Sequence, residues 1–218
     1  MREFDKIYLS WREGLGHSRH IVGVLEMDLS GLVTFRYFPD KVEKAKSSGF
    51  SCYTEFSEIN KVYSENVLEI FGQRLIKSER PDIKDFYSFW EIDPSYKDDK
   101  FYLLGHTQGL SPTDNFEFLA DYNTVPNLHF LTELAGLSHL KLPANTLEQG
   151  DELTFTFEND NLHDNEAIKV FKEGKYVGFI KKIHCKIFHK EGGEKLQVVV
   201  KALDRNGIIK RVFIKVFL

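Results

Sequence analysis

"FENDNLHDNEAIKVF", residues 157–171, sets four acids and three Asn into its first ten residues and then runs straight into an alternating apolar stretch. Three devices share such a composition: a turn, a calcium loop, and a site that grips a hydroxyl. A calcium loop of the helix-loop-helix type starting at Asp160 needs an oxygen ligand at its third position, Gly at its sixth and Glu at its twelfth. The chain supplies Leu162, Asn165 and Phe171 there, so that reading fails. His163, His184, Cys185 and His189 lack a recognised zinc spacing, and surface or helix-face placement is the ordinary reading of each. A turn remains open, because Asp and Asn side chains accept backbone N–H groups two residues on. A hydroxyl-binding site remains open beside it.

The stretch sits among strand patterns. "LHFLTELAGL", "ELTFTFE", "AIKVF", "YVGFI", "KLQVVVKALD" and "IKRVFIKVFL" alternate or run apolar, and the helix "KKIHCKIFHK" lies between the fourth and fifth. Six strands and one crossing helix describe a small β-barrel or rolled sheet. Lys182, Lys186 and Lys190, spaced by four opposite Ile183 and Ile187, also describe a solvated helix face. Gly178 within "YVGFI" marks close backbone packing in a strand.

Upstream the pattern differs. "KIYLSW", "RHIVGVLEMD" and "LVTFRYFP" read as a β-meander. "DKVEKAKSSG" predicts a short helix, and "SENVLEIFGQRLI" a second with Ser64 as N-cap. "RPDIKDFYSFWEI" predicts a third with Pro81 in its first turn and Ile83, Phe86, Phe89 and Trp90 on one side. "DDKFYLLGHTQG" predicts a fourth, and "TDNFEFLADY" closes as a strand. "NTVPN", residues 123–127, is the turn-rich boundary, dividing the chain into domains 1–124 and 125–218.

At 218 residues, 42% hydrophobic and 28% charged, the composition is that of an ordinary folded protein. No apolar run approaches the roughly 20 residues that span a bilayer, and the opening "MREFDKIYLSW" has no apolar stretch behind a basic end. Two distant Cys, Cys52 and Cys185, suit a reduced compartment, so a cytoplasmic location is expected. The net charge of −4 divides into −6 over residues 1–125, −7 over 126–166 and +9 over 167–218. Blocks of opposite sign admit nucleic acid as a partner, although Lys-rich strands also serve solubility. There is no Gly-rich phosphate loop after a strand and no recognisable nucleophile motif, so no enzymatic activity and no cofactor are expected.

The two-part string "ENDNLHDNEAIKV…GKYVGFIKK" resembles the HIRAN domain over about residues 128–218. Asn161, Asp164, Ala167, Ile168, Val170, Gly174, Val177, Gly178, Ile180 and Lys182 fit its pattern. The resemblance implies an OB-like barrel that, in DNA-binding members, holds the 3′ end of single-stranded DNA. Carried over, Asp164 and Asn161 hold the 3′-hydroxyl, His163 takes the stacking position and Lys182 meets a phosphate. A carboxylate there accepts from a hydroxyl and repels a 3′-phosphate, while aromatics stack on bases. This chain departs from the DNA-binding members at three places. His163 replaces Tyr, Phe179 replaces His, and the Arg–aromatic pair of the first strand falls at Ser138–His139.

The first half, through "VGVLEMDLSGLVTFRYFPD", "FGQRLI" and "FYLLGHTQGLSPTDNFEF", resembles the N-terminal subdomain of HipA-type toxin kinases, a unit that also occurs as a short antitoxin protein. No kinase core follows, which implies binding or structure for this half and makes it the candidate surface for a protein partner. The expected whole is an α+β protein. A small antiparallel sheet with short helices precedes an OB-like barrel with one main helix. The barrel binds nucleic acid without catalysis, at single-stranded 3′ ends, in DNA repair or in phage defence. The rival is a protein-interaction or antitoxin module that uses the barrel as scaffold. His139, Asn161, His163, Asp164, Phe179 and Lys182 are the candidate nucleic-acid-binding residues.

Overall fold

A computed structural model describes residues 2–14, 16–158 and 164–218. Its contacts divide the chain into Phe4–Asp121 and Tyr122–Leu218. Arg2 and Glu3 belong with the second unit, held by the Asn123 backbone N–H on Glu3 O (2.6 Å) and by Asn123 Nδ2 on Arg2 O (3.2 Å).

The first unit contains β1 (Lys6–Trp11), β2 (His20–Met27), β3 (Val33–Tyr37), β4 (Val62–Tyr63) and β5 (Phe116–Ala120) in one antiparallel sheet ordered β4-β3-β2-β1-β5. Asp28 makes the β2–β3 turn by accepting from the backbone of Ser30 and Leu32. Helices α1 (Pro39–Lys46), α2 (Val67–Gly72), α3 (Ile83–Trp90) and α4 (Lys100–Thr107) lie between β3 and β5 in sequence. The aromatic residues are spent on its core. Phe35, Phe56 and Phe71 are all under 2% exposed, with ring centroids 4.9–5.1 Å apart.

Two helix starts differ from the sequence reading. Helix α2 begins at Val67 behind Asn66, not at Ser64, because Asn66 takes the left-handed conformation (φ 55°) that Asn tolerates. Helix α3 begins after Asp82, leaving Pro81 in the preceding turn, where Arg80 binds the Asp82 carboxylate at 2.7–2.8 Å. Helix α4 starts on a side-chain cap, Asp99 accepting from the Tyr102 N–H at 2.9 Å. Arg74 ties α2 to the entrance of β5. Its guanidinium grips Asp114 through two hydrogen bonds and also donates to Gly109 O and Tyr53 Oη.

The second unit is a curled six-stranded sheet of β6 (His129–Glu133), β7 (Glu152–Phe157), β8 (Ile168–Lys172), β9 (Lys175–Phe179), β10 (Gln197–Asn206) and β11 (Ile208–Phe217). Its order is β6-β11-β10-β7-β8-β9, and every pairing is antiparallel. The two edges meet where Ala135 and Phe179 exchange backbone hydrogen bonds of 2.7 and 3.0 Å. Strict alternation fills the inside: Val212, Ile214 and Val216 of β11 are fully buried opposite Val200 and Phe130.

The main helix is shorter than its sequence pattern. One α turn, α6 (Lys182–Cys185), continues as a 3-10 helix over Lys186–His189. Ile183, His184, Ile187 and Phe188 face inward, with His184 Nδ1 2.7 Å from Thr132 Oγ1 and the Phe188 ring 4.8 Å from Phe155. "LHFLTELAGL" is not one strand. It breaks after Glu133, and Gly136, in the left-handed region (φ 85°, ψ 1°), opens a short helix, α5 (Leu137–Leu140). Among the described residues no helix is long and apolar enough to cross a membrane.

Candidate nucleic-acid interface

The acid-and-Asn stretch joins β7 to β8, which pair antiparallel. The Glu158 N–H on Ala167 O (3.0 Å) closes its base, and the Ala167 N–H on Asp164 O (3.1 Å) turns its end toward β8. Asp164 does two things at once. Its Oδ1 accepts from the Glu166 N–H at 3.2 Å, as a turn-forming Asp does. Its Oδ2 lies 3.2 Å from the Lys182 ammonium at the start of α6. The pair is half in solvent, with side chains 21% and 58% exposed, so it is worth at most about 1 kcal/mol. Its importance is positional, since it sets the carboxylate and the cation of the candidate site side by side. A second tie runs from His189 Nε2 to Glu166 O (3.0 Å), and the His189 ring meets Phe157 edge-on at 5.0 Å.

Adjacent lysines take opposite roles. Lys181 is 1% exposed and lies 3.6 Å from Glu133, which also accepts from Arg211. Burying these charges is tolerable because they face one another. Lys182, one residue on, is exposed. Helix α6 therefore starts with one lysine anchored inward and the next exposed and paired with Asp164.

Phe179 is placed by backbone geometry. Gly178 sits at φ 146°, and a Cβ there would stand 2.9 Å from Ala135 O and 3.3 Å from Leu134 Cβ. Only glycine lets β9 come close enough for Phe179 to bond Ala135. The register between β8 and β9 slips by one residue at this point, Lys169 facing Phe179 but Phe171 facing Tyr176, so Val177 is the extra residue of a bulge. Tyr176 and Phe179 thereby land on one face, their rings 5.3 Å apart at 70°. Gly136 lies against both: a Cβ there would be 3.6 Å from the Phe179 ring and 3.9 Å from Tyr176 Oη.

Of the candidate residues, the structure brings Asp164 and Lys182 into direct contact. His139 is exposed on α5, the helix that Gly136 opens beside Phe179, so it stands on a helix and not on the first strand as the sequence suggests. Asn161 and His163 lie outside the described residues. Tyr176 and Lys169 were missed by sequence reasoning. Lys169 pairs with Glu158 at 2.8 Å and stands 5.8 Å from the Tyr176 ring centroid. Burial, aided by the nearby Glu158, pushes the Tyr176 hydroxyl up to about 12, so it carries its proton at neutral pH. Burial likewise pushes the Cys185 thiol up to about 12, which makes it a poor nucleophile.

Part of the two opposed charge blocks pairs internally. Lys169, Lys172, Lys181, Lys182 and Arg211 of the +9 segment pair with Glu158, Asp151, Glu133 and Asp164 of the −7 segment.

The second unit is thus a curled six-stranded half-barrel whose edges meet at Ala135 and Phe179. Residues 128–201 match the HIRAN domain family, and this segment is a HIRAN domain. HIRAN domains are generally linked to nucleic-acid binding. Among solved structures, the HIRAN domain of human HLTF is similar at 18% identity over 41% of this chain and 74% of that one, with a TM-score of 0.33. A protein from Lactobacillus plantarum is similar at 18% identity over 42% of this chain and 95% of that one, also with a TM-score of 0.33. No curated protein matches the chain. The matched residues all lie in the second unit.

Proposed function

We propose that this chain binds single-stranded DNA at its 3′ end, without catalysis, through the HIRAN loop and the face beside it. The observation that carries the reading is the Asp164–Lys182 contact at 3.2 Å. It pairs an acceptor suited to a hydroxyl with a cation suited to the neighbouring phosphate. Phe179 and His139 flank that end of the barrel and offer rings for bases. DNA repair or defence against foreign DNA is the setting that such end recognition suits. The test is fluorescence anisotropy at fixed low salt with a short single strand, a blunt duplex and single strands ending in 3′-hydroxyl or 3′-phosphate. The single strand with a 3′-hydroxyl is expected to bind best; equal binding to all, or none, refutes the reading.

A second reading has its own support. Asp164 already serves as a turn cap, and Lys169, Lys172 and Lys181 of the basic segment are paired within the barrel. On that reading the barrel is a scaffold, and the HipA-like first unit meets a protein partner as an antitoxin-type module. Binding of a protein with no response to oligonucleotides supports it.

A further inference from the structure

The bulge at Val177 gives the HIRAN face a ring that strand alternation would have put on the other side. We propose that Tyr176 forms, with Phe179, a corner that takes one unstacked base of a single strand, its face against one ring and its edge toward the other. The proposal rests on the single-strand reading above and adds to it a residue and a mode of recognition.

Three observations carry it. First, the two rings are oriented as a corner, 70° apart with centroids 5.3 Å from each other, and each is only partly covered. The core rings of the same unit, Phe130 and Phe188, are instead under 3% exposed. Second, the corner is held rigidly. Phe179 is fixed by its two backbone bonds to Ala135, and β9 turns back on β8 through a two-residue loop, Glu173–Gly174, with φ of 49° and 80°. Gly136 approaches both side chains without a side chain of its own, which leaves room above them. Third, the charge fits a nucleic acid strand. Residues 168–182 hold five Lys against a single acid, Glu173. Lys169 stands at the Tyr176 ring, and Lys175, the next residue along β9, is exposed with no ion pair among the described residues.

This geometry selects against duplex. A paired base has both faces covered by its neighbours, so only an unstacked base can enter the corner, and any base has a face to offer. Tyr176 therefore confers preference for single strands with little preference for sequence.

The experiment combines two deletions. Oligonucleotides carrying one abasic position, moved stepwise from the 3′ end, are titrated into the parent protein, Tyr176→Ala and Tyr176→Phe, with circular dichroism confirming that each variant is folded. One abasic position is expected to weaken the parent about tenfold, as loss of one stacked base does. Tyr176→Ala should weaken the intact oligonucleotide by about as much and be insensitive to that same abasic position. Tyr176→Phe should behave as the parent. If the parent binds single strands but Tyr176→Ala keeps the full abasic penalty, or binds as the parent does, the corner is wrong and the end-binding reading stands. If Tyr176→Phe loses as much as Tyr176→Ala, the hydroxyl and not the ring face is the contact, which also overturns the proposal. If the parent binds no single strand, both readings fall together.

Discussion

Replacing Gly178 with Ala tests the closure on which the whole face depends. The new Cβ would lie 2.9 Å from Ala135 O and 3.3 Å from Leu134 Cβ, and the backbone there is at φ 146°. The positive φ costs about 1–3 kcal/mol for a residue with a side chain. The carbonyl contact is too short to survive, so β6 and β9 must part. Overpacking of this kind costs about 1–3 kcal/mol. Losing the two Ala135–Phe179 hydrogen bonds adds about 1 kcal/mol each. These losses overlap, because moving the strands relieves the clash while breaking the bonds, so the expected cost is about 3–5 kcal/mol. Gly207→Ala is the control. Gly207 also has a positive φ (70°), but nothing stands within 4 Å of its Cβ position, so only backbone strain of about 1–2 kcal/mol is expected. Urea unfolding at neutral pH measures both. A Gly178→Ala protein within about 1 kcal/mol of the parent, or no worse than Gly207→Ala, would refute the argument that close approach fixes Phe179.

Asp164→Asn keeps an oxygen for the Glu166 N–H but removes the charge beside Lys182, so stability should change by less than about 1 kcal/mol while preference for a 3′-hydroxyl over a 3′-phosphate shrinks in anisotropy. Unchanged preference would assign Asp164 to the turn alone. Glu133→Ala strips the carboxylate that faces buried Lys181 and Arg211, and should cost about 3–5 kcal/mol in urea unfolding. Lys182→Ala should cost under about 1 kcal/mol in the same assay, since that lysine is exposed. Burial alone would raise the Asp114 carboxyl, but hydrogen bonds from Arg74 and the Phe116 N–H hold it below the usual value. Its contribution is therefore complete above the ordinary carboxylate range and lost as pH falls through the depressed value. Thermal melts of the parent and Asp114→Asn should converge in acid and diverge toward neutrality.

The strands were legible because burial follows alternation wherever the ladder is regular. "RVFIKVF" puts Val212, Ile214 and Val216 inside, as its pattern says. The same rule hid Tyr176. Counting by twos groups it with Gly178 and separates it from Phe179, and only the slip at Val177 reunites the two rings. The one trace in the sequence is Gly178, which marks a close approach but not the bulge that accompanies it. "IKK" likewise shows two equivalent cations, and nothing local tells that Lys181 faces inward; Glu133, far upstream, decides it. Gly136 ended the first barrel strand early, because a residue at φ 85° cannot continue a ladder, and so moved His139 from a strand to a helix. Asp164 was legible as to type, yet its dual role could not be separated in advance, since capping a turn and facing a cation use different oxygens of one carboxylate.

The internal pairing of charge also sets how this barrel should respond to salt. A protein that holds DNA by many free cations loses affinity steeply with ionic strength, because each neutralised phosphate releases condensed counterions. Here the cations nearest the proposed face, Lys182 and Lys169, are already opposed by Asp164 and Glu158. If both are surrendered to phosphates and exposed Lys175 adds a third contact, the slope of log affinity against log salt for a single strand is about −2.1, from about −0.7 for each contact. Lys182→Ala should then reduce the slope by about 0.7 while leaving the abasic penalty at Tyr176 in place, because stacking does not release counterions. Glu158→Gln should do the opposite: it frees Lys169 from its partner and strengthens binding at low salt. A parent slope steeper than about −4 would mean a much larger basic surface than this face offers. The strand would then be held elsewhere on the molecule, and the Asp164–Lys182 pair would return to being a tie between a loop and a helix.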